Sequence, residues 1–204
     1  MGAPVVDITI VKGKTFEFMY RYADSDLVYL PIIGMPSTTP VRLTVASHGI
    51  PDGWPVRIED LRRPEGLSSD ESGCDSHYFA TVVDFNTIEL NQVSVNGSRP
   101  WAGGGVVVFN RPFDLSGCSA RMQVRDRVDG ALLLSLSSDP MTLRDGSIQI
   151  DTGLAALIVK LEPAKTALLS WVRGTYDLEL ITPGGDVYPV AAVSKVTVSP
   201  EVTR

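Results

Sequence analysis

The chain has 204 residues, of which 44% are hydrophobic and 21% charged, with a net charge of −6. This length supports one large domain or two small ones, and the composition is not that of a disordered chain. The acidic balance excludes a general affinity for nucleic acid or anionic membrane, since both need a concentrated positive surface.

The first segments alternate apolar and polar residues: VVDITIVKG, then KTFEFMYRY, with Gly13 between them. A period of two marks half-buried strands. The pattern continues through VRLTVASH, WPVRIEDL, YFATVVDFNTIEL, GGVVVFN, SARMQVRDR, ALLLSLSS, GSIQIDT, TYDLELIT and DVYPVAAVSKVTVSP. Turn signals separate these runs: PDG at 51–53, NG at 96–97, DG at 129–130 and 145–146, and PGG at 183–185. Many short strands with frequent turns predict an all-β sandwich or barrel. One stretch reads as a short helix, EPAKTALLSWV, near 163–172. Pro163 suits its first position. Ala164, Ala167, Leu168 and Trp171 share its expected inward face, and Gly174 stops it.

No apolar run approaches the roughly 20 residues needed to span a bilayer. The first residues lack a basic stretch followed by an apolar one, so no secretory signal is read. Val6 stands where a myristoylation motif wants Ser or Thr. The expectation is a protein made and folded in a cytoplasm, with Cys74 and Cys118 as free thiols.

HGIPDGW, residues 48–54, places a histidine, an aspartate and a tryptophan within one short segment. Gly49 and Gly53 can take positive φ and Pro51 fixes its own, so the segment reads first as a turn between two strands. Trp54 then opens the next strand, where its ring can cover the end of a small barrel. No serine or cysteine nucleophile with a matching base is suggested by spacing. Cys74 and His77 have metal-like spacing, and His48 with Cys118 would complete a Cys2His2 set. Structural zinc sites use two tight pairs, and only one is present here. Asp70, Glu71 and Asp75 could offer oxygens to calcium but lack the loop spacing of a calcium motif. Arg62 and Arg63 stand among Glu59, Asp60 and Glu65, which reads as a solvated mixed-charge loop. WAGGGVVVF opens a strand, so its glycines read as a barrel kink or loop tip before a phosphate cradle. The expectation is no catalytic residue, no bound cofactor and no metal.

Two longer stretches resemble known modules. TVASHGIPDGWPVRIEDL, YFATVVDFNTIELNQVSVNG and WAGGGVVVF resemble a small barrel module of tailed-phage tail proteins. That module is related to the first catalytic-cysteine half-domain of ubiquitin-activating enzymes. The resemblance rests on His48, Gly49, Gly53 and Val56, then Phe79 to Val83, Asn86, Thr87 and Leu90, then Gly103 to Phe109. The last 90 or so residues resemble an immunoglobulin-like module of phage virion proteins, similar to the N-terminal domain of upper baseplate proteins. The residues that carry this are Asp114 to Gly117, Arg121 to Arg125, Gly174 to Leu180, and Val196 to Pro200. Such modules begin with a strand pair like residues 7–22, which here is separated from the rest by the barrel sequence.

The resemblance implies an immunoglobulin-like β-sandwich, residues 1–36 and 111–204, interrupted by an inserted small β-barrel at 37–110. A lone N-terminal hairpin would be marginal in water, which favours insertion over two domains in series. The function it implies is a structural part of a tailed-phage virion: a connector or adaptor in the tail, baseplate or fibre attachment. Its expected partners are other virion proteins and further copies of itself, with no nucleic acid and no membrane insertion. The alternative is a capsid-decorating or fibre-tip module that binds a cell-surface glycan through Trp54, Tyr78 and Trp101. The polar end SPEVTR is read as an arm that orders on assembly.

Overall fold

The structure is a computed structural model that describes residues 3–64, 66–68, 77–91, 93–142 and 145–201. Strands make up 53% of it and helix 3%, so the all-β reading holds. In chain order the strands before the insertion are β1 (Ile8–Val11) and β2 (Phe16–Arg21). There follow β3 (Ala23–Pro31), β4 (Gly34–Thr38), β5 (Val41–Thr44), β6 (Trp54–Glu59), β7 (Tyr78–Asp84), β8 (Thr87–Leu90) and β9 (Val106–Pro112). The last group is β10 (Ser119–Arg125), β11 (Leu132–Ser137), β12 (Gly146–Asp151), β13 (Ala156–Leu161), helix α1 (Pro163–Ala167), β14 (Arg173–Ile181) and β15 (Val187–Ser199).

The chain divides into two compact units, Met1–Tyr22 with Asp114–Arg204, and Ala23–Phe113. The first unit is one eight-stranded sheet in the order β1-β15-β14-β10-β11-β12-β13-β2. β1 and β2 end that order, yet only residues 12–15 join them. Laid flat, eight strands place the outer two about 34 Å apart. Five Cα steps reach at most about 18 Å. The sheet must therefore curl back on itself. The turn at the curl is narrow: β11 and β12 pair only through Leu136–Gly146 and Ser137–Ser147. The runs β15-β14-β10-β11 and β12-β13-β2 match the order of the two facing sheets of an immunoglobulin arrangement.

Alternation fills the inside of this unit. Tyr176, Leu178 and Leu180 of β14 are buried, as are Met122 and Val124 of β10 and Val196 and Val198 of β15. Tyr20 of β2 meets Tyr176 across the interior, hydroxyl to hydroxyl at 2.8 Å. The Tyr176 hydroxyl donates to the Val6 carbonyl, so Tyr20 is the donor in the pair. Burial pushes both phenols up, and their mutual hydrogen bond pushes Tyr20 further.

The second unit is a seven-stranded sheet in the order β3-β9-β6-β7-β8-β5-β4. Here Ile32 and Ile33 alone join the two end strands. A flat sheet would separate those ends by about 29 Å, and three Cα steps reach about 11 Å. Closure into a barrel-like form follows from the same arithmetic. Ile32 N–H donates to the Gly105 carbonyl and Ile33 N–H to the Thr44 carbonyl, both at 2.9 Å, which bridges the gap. Val41, Leu43, Trp54, Val56, Ile58, Ile88, Leu90 and Val107 form the interior.

Two sequence expectations are corrected. The unit boundary lies after Tyr22 rather than after Pro36, and after Phe113 rather than after Asn110. Residues 23–36 look like a linker because of Pro31, Gly34 and Pro36, but β3 pairs with β9 from Ala23 to Pro31 and β4 pairs with β5. Prolines are tolerated there because both are edge strands. The helix is also shorter than expected and turns a different face inward. Leu168 N–H bonds the Lys165 carbonyl and Leu169 N–H the Thr166 carbonyl, so the last turn tightens to a spacing of three. Thr166 and Leu169 are the buried pair, while Ala164, Ala167 and Leu168 face outward. The Thr166 hydroxyl is within hydrogen-bonding reach of the Lys14 carbonyl at 2.8 Å, which fixes this register.

Candidate functional site

The HGIPDGW segment leads from the end of β5 into β6, and its polar groups are spent on backbone. His48 is buried. Its Nδ1 accepts the Ile50 N–H at 3.0 Å, which leaves the proton on Nε2 to be donated to the Asp84 carbonyl at 2.9 Å. Asp52 Oδ1 accepts the Val82 N–H at 2.9 Å. Trp54 Nε1 donates to the Asn110 carbonyl at 3.0 Å. Gly49 and Gly53 take φ of 58° and 67°, as the turn requires. The turn is thus pinned to the β7–β8 hairpin by His48 and Asp52. His48 leaves no free base in the turn, and Asp52 holds backbone through one carboxylate oxygen.

The remaining chemical candidates are placed as follows. Both His48 nitrogens are engaged, which leaves no lone pair for a metal. Cys74, Asp70, Glu71 and Asp75 lie outside the described residues. Among the described residues no group of three or more His, Cys, Asp or Glu side chains could hold a metal ion. The Cys118 thiol is pushed up by burial and then by the nearby Asp114 carboxylate, which makes it a poor nucleophile. Asp114 itself is held below the usual carboxylate range by the Ser116 hydrogen bonds. Trp54 is only 1% exposed, so Trp54, Tyr78 and Trp101 do not form one exposed platform. The Tyr78 hydroxyl donates to the Leu67 carbonyl, and Trp101 Nε1 to the Gly104 carbonyl.

A groove of about 320 Å³ lies on the outer face of β10 and β14, lined in part by Gln123, Arg125, Thr175 and Asp177. Both of its cations are engaged, and Arg127 pairs with Asp126 at 3.3 Å. Arg125 donates to the Gly130 carbonyl at 2.7 Å and to Gln123 Oε1 at 2.9 and 3.2 Å. Next to it Arg121 and Glu179 form an ion pair at 2.6 Å. Such a face is a ladder of cross-strand pairs.

The surface that stands out is β3. Among the described residues it pairs only with β9 and ends the sheet order. Its outward positions, continued into the link to β4, are Leu27, Tyr29, Pro31 and Ile33, and all four are exposed. Tyr29 and Ile33 are each 56% exposed. An unpaired edge with an apolar stripe is a template for another strand or surface. The sequence hid it: residues 27–33, LVYLPII, are apolar throughout. A continuous apolar run signals a strand covered on both faces, so no alternation revealed an open side.

No family model matches this sequence, and no curated protein matches it either.

Proposed function

We propose that the protein is a structural component of a tailed-phage virion, a connector or adaptor in the tail, baseplate or fibre attachment, present in multiple copies. The observation that carries this reading is the open edge of β3 with its stripe of Leu27, Tyr29, Pro31 and Ile33. Such an edge gives a neighbour both backbone hydrogen bonds and apolar contact. The order and spacing of the residues that resemble phage barrel and baseplate modules support it. So does the use of His48, Asp52 and Trp54 to hold backbone.

In this mechanism each copy contributes a modest contact through β3. Repetition around a closed ring then raises the avidity far above that of a single contact. The partners are other virion proteins and further copies of this chain, and the site of action is the particle. The test is mass spectrometry on gradient-purified phage particles from the source, with heads and tails separated. Stoichiometric recovery in the tail fraction is the expected result. Absence from particles, or recovery with heads alone, would overturn the connector reading.

A further inference from the structure

Two features that each looked ordinary in the sequence meet in the barrel unit. Arg62 and Arg63 line a cleft of about 410 Å³ together with Asp60, Ala102, Gly103 and Gly104. The arginines lie some forty positions before the glycines, so only the fold brings them together.

The arginines of β5 and β6 are paired, whereas Arg111 of β9 is exposed and unpaired among the described residues, like Arg62 and Arg63. Arg42 is paired with Glu89 at 2.8 Å and Arg57 with Glu59 at 3.3 Å. Among the described residues Arg62 and Arg63 make no ion pair and no hydrogen bond, and both are exposed. Asp60, the one carboxylate on the cleft, already has a partner.

The three glycines of the opposite wall are not equivalent. All have positive φ, at 91°, 80° and 92° for Gly103, Gly104 and Gly105. A Cβ on Gly105 would lie 2.7 Å from Leu61 Cδ1 and 3.1 Å from Ile32 Cδ1, so packing explains that glycine. A Cβ on Gly103 would meet nothing within 4 Å, and on Gly104 only the Asp60 carbonyl at 3.9 Å. Packing does not demand those two. Their backbone leaves the wall of the cleft bare, and among the described residues their N–H groups have no acceptor. The Trp101 indole donates to the Gly104 carbonyl at 3.1 Å and holds the loop in this form.

Two unpaired guanidinium forks and two glycines whose N–H groups have no acceptor among the described residues thus line one cleft. Every one of these groups is a donor, and what they lack in common is an acceptor with negative charge. A water takes about 30 Å³ of liquid volume, so the space far exceeds a bare ion. We propose that this cleft is an oxyanion site, which takes a phosphate or carboxylate group carried on a larger ligand. The arginines supply charge and fork geometry, and the glycine amides supply short backbone donors.

The test is an amide and arginine-side-chain NMR titration of the full chain with inorganic phosphate and, separately, with glucuronate. Sodium chloride holds the ionic strength constant. The expected result is a saturable shift of the Gly103 and Gly104 amides and of the Arg62 and Arg63 Nε–H groups with at least one probe. Response to phosphate alone marks a phosphoryl ligand, and response to glucuronate alone marks a carboxylate. The double variant Arg62→Gln, Arg63→Gln should keep the wild-type spectrum elsewhere and bind about tenfold or more weakly. Shifts that do not saturate with either probe, that chloride reproduces, or that survive in the double variant would overturn the proposal.

Discussion

His48→Ala separates a structural histidine from a chemical one, and its cost can be worked from the geometry. The Ile50 N–H, in a buried residue, loses its acceptor at 3.0 Å. An orphaned buried donor costs about 1–3 kcal/mol. The Asp84 carbonyl also loses its partner, but Asp84 is exposed, so water replaces that bond at small cost. Removing the buried ring adds a packing loss of about 1 kcal/mol. The expected sum is about 2–4 kcal/mol of barrel stability. His48→Asn is the informative companion. Its side-chain oxygen can take the place of Nδ1 and accept the N–H two residues on, as Asn does in turns. Asn should therefore recover about half the loss. The assay is urea unfolding with hydrogen exchange of the Ile50 and Val82 amides, which reports on the barrel unit alone. A loss below about 0.5 kcal/mol for Ala, or an Asn variant as damaged as Ala, would refute the reasoning.

Three further outcomes are expected. Tyr20 and Tyr176 have raised phenol pKa values, so below the unfolded value of about 10 both states are neutral and their contribution is complete. As pH rises past 10 the unfolded chain ionises first and stability falls; Tyr20→Phe should flatten that alkaline slope in urea midpoints measured from pH 9 to 11.5, and an unchanged slope would contradict the assignment. The Cys118 thiol, raised by burial and by Asp114, should react more slowly with a thiol reagent at pH 7.5 than free cysteine does; an equal or faster rate counts against it. Gly105→Ala should cost about 3 kcal/mol or more, because left-handed backbone and overpacking add. Gly49→Ala, where a Cβ meets nothing within 4 Å, should cost about 1–2 kcal/mol, and equal melting temperatures for the two variants would sink the packing argument.

Much of the fold was legible because it is written in alternation. WPVRIE reads as a strand, and Trp54, Val56 and Ile58 are indeed its buried face. TYDLEL behaves likewise through Tyr176, Leu178 and Leu180. β3 was not legible. After Ala23 it runs through Asp24, Ser25 and Asp26, carries an irregularity in its pairing between Ala23 and Leu27, and continues as an unbroken apolar run. Local propensity there says loop and then buried strand, and only pairing with β9 decides the matter. The helix face failed for a similar reason, since a tightened last turn moved the inward positions from Ala167 and Leu168 to Thr166 and Leu169. The role of HGIPDGW as a turn was visible in its glycines. The partners of His48 and Asp52 were not, because Asp84 and Val82 lie 36 and 30 residues away. The meeting of Arg62 and Arg63 with Gly103 and Gly104 was invisible for the same reason of sequence distance.

The claim that β3 is the assembly edge can be tested inside the particle. A photo-crosslinking phenylalanine analogue is placed at position 29, supplied in trans during phage assembly, and compared with the same group at position 42. Arg42 is exposed but lies on β5, which is paired on both sides. Irradiated particles should yield a crosslink from position 29 to a neighbouring virion protein or to a second copy, and far less from position 42. Particles that contain the protein but give no crosslink at 29, or equal yields at both positions, would contradict β3 as the edge on which the protein assembles.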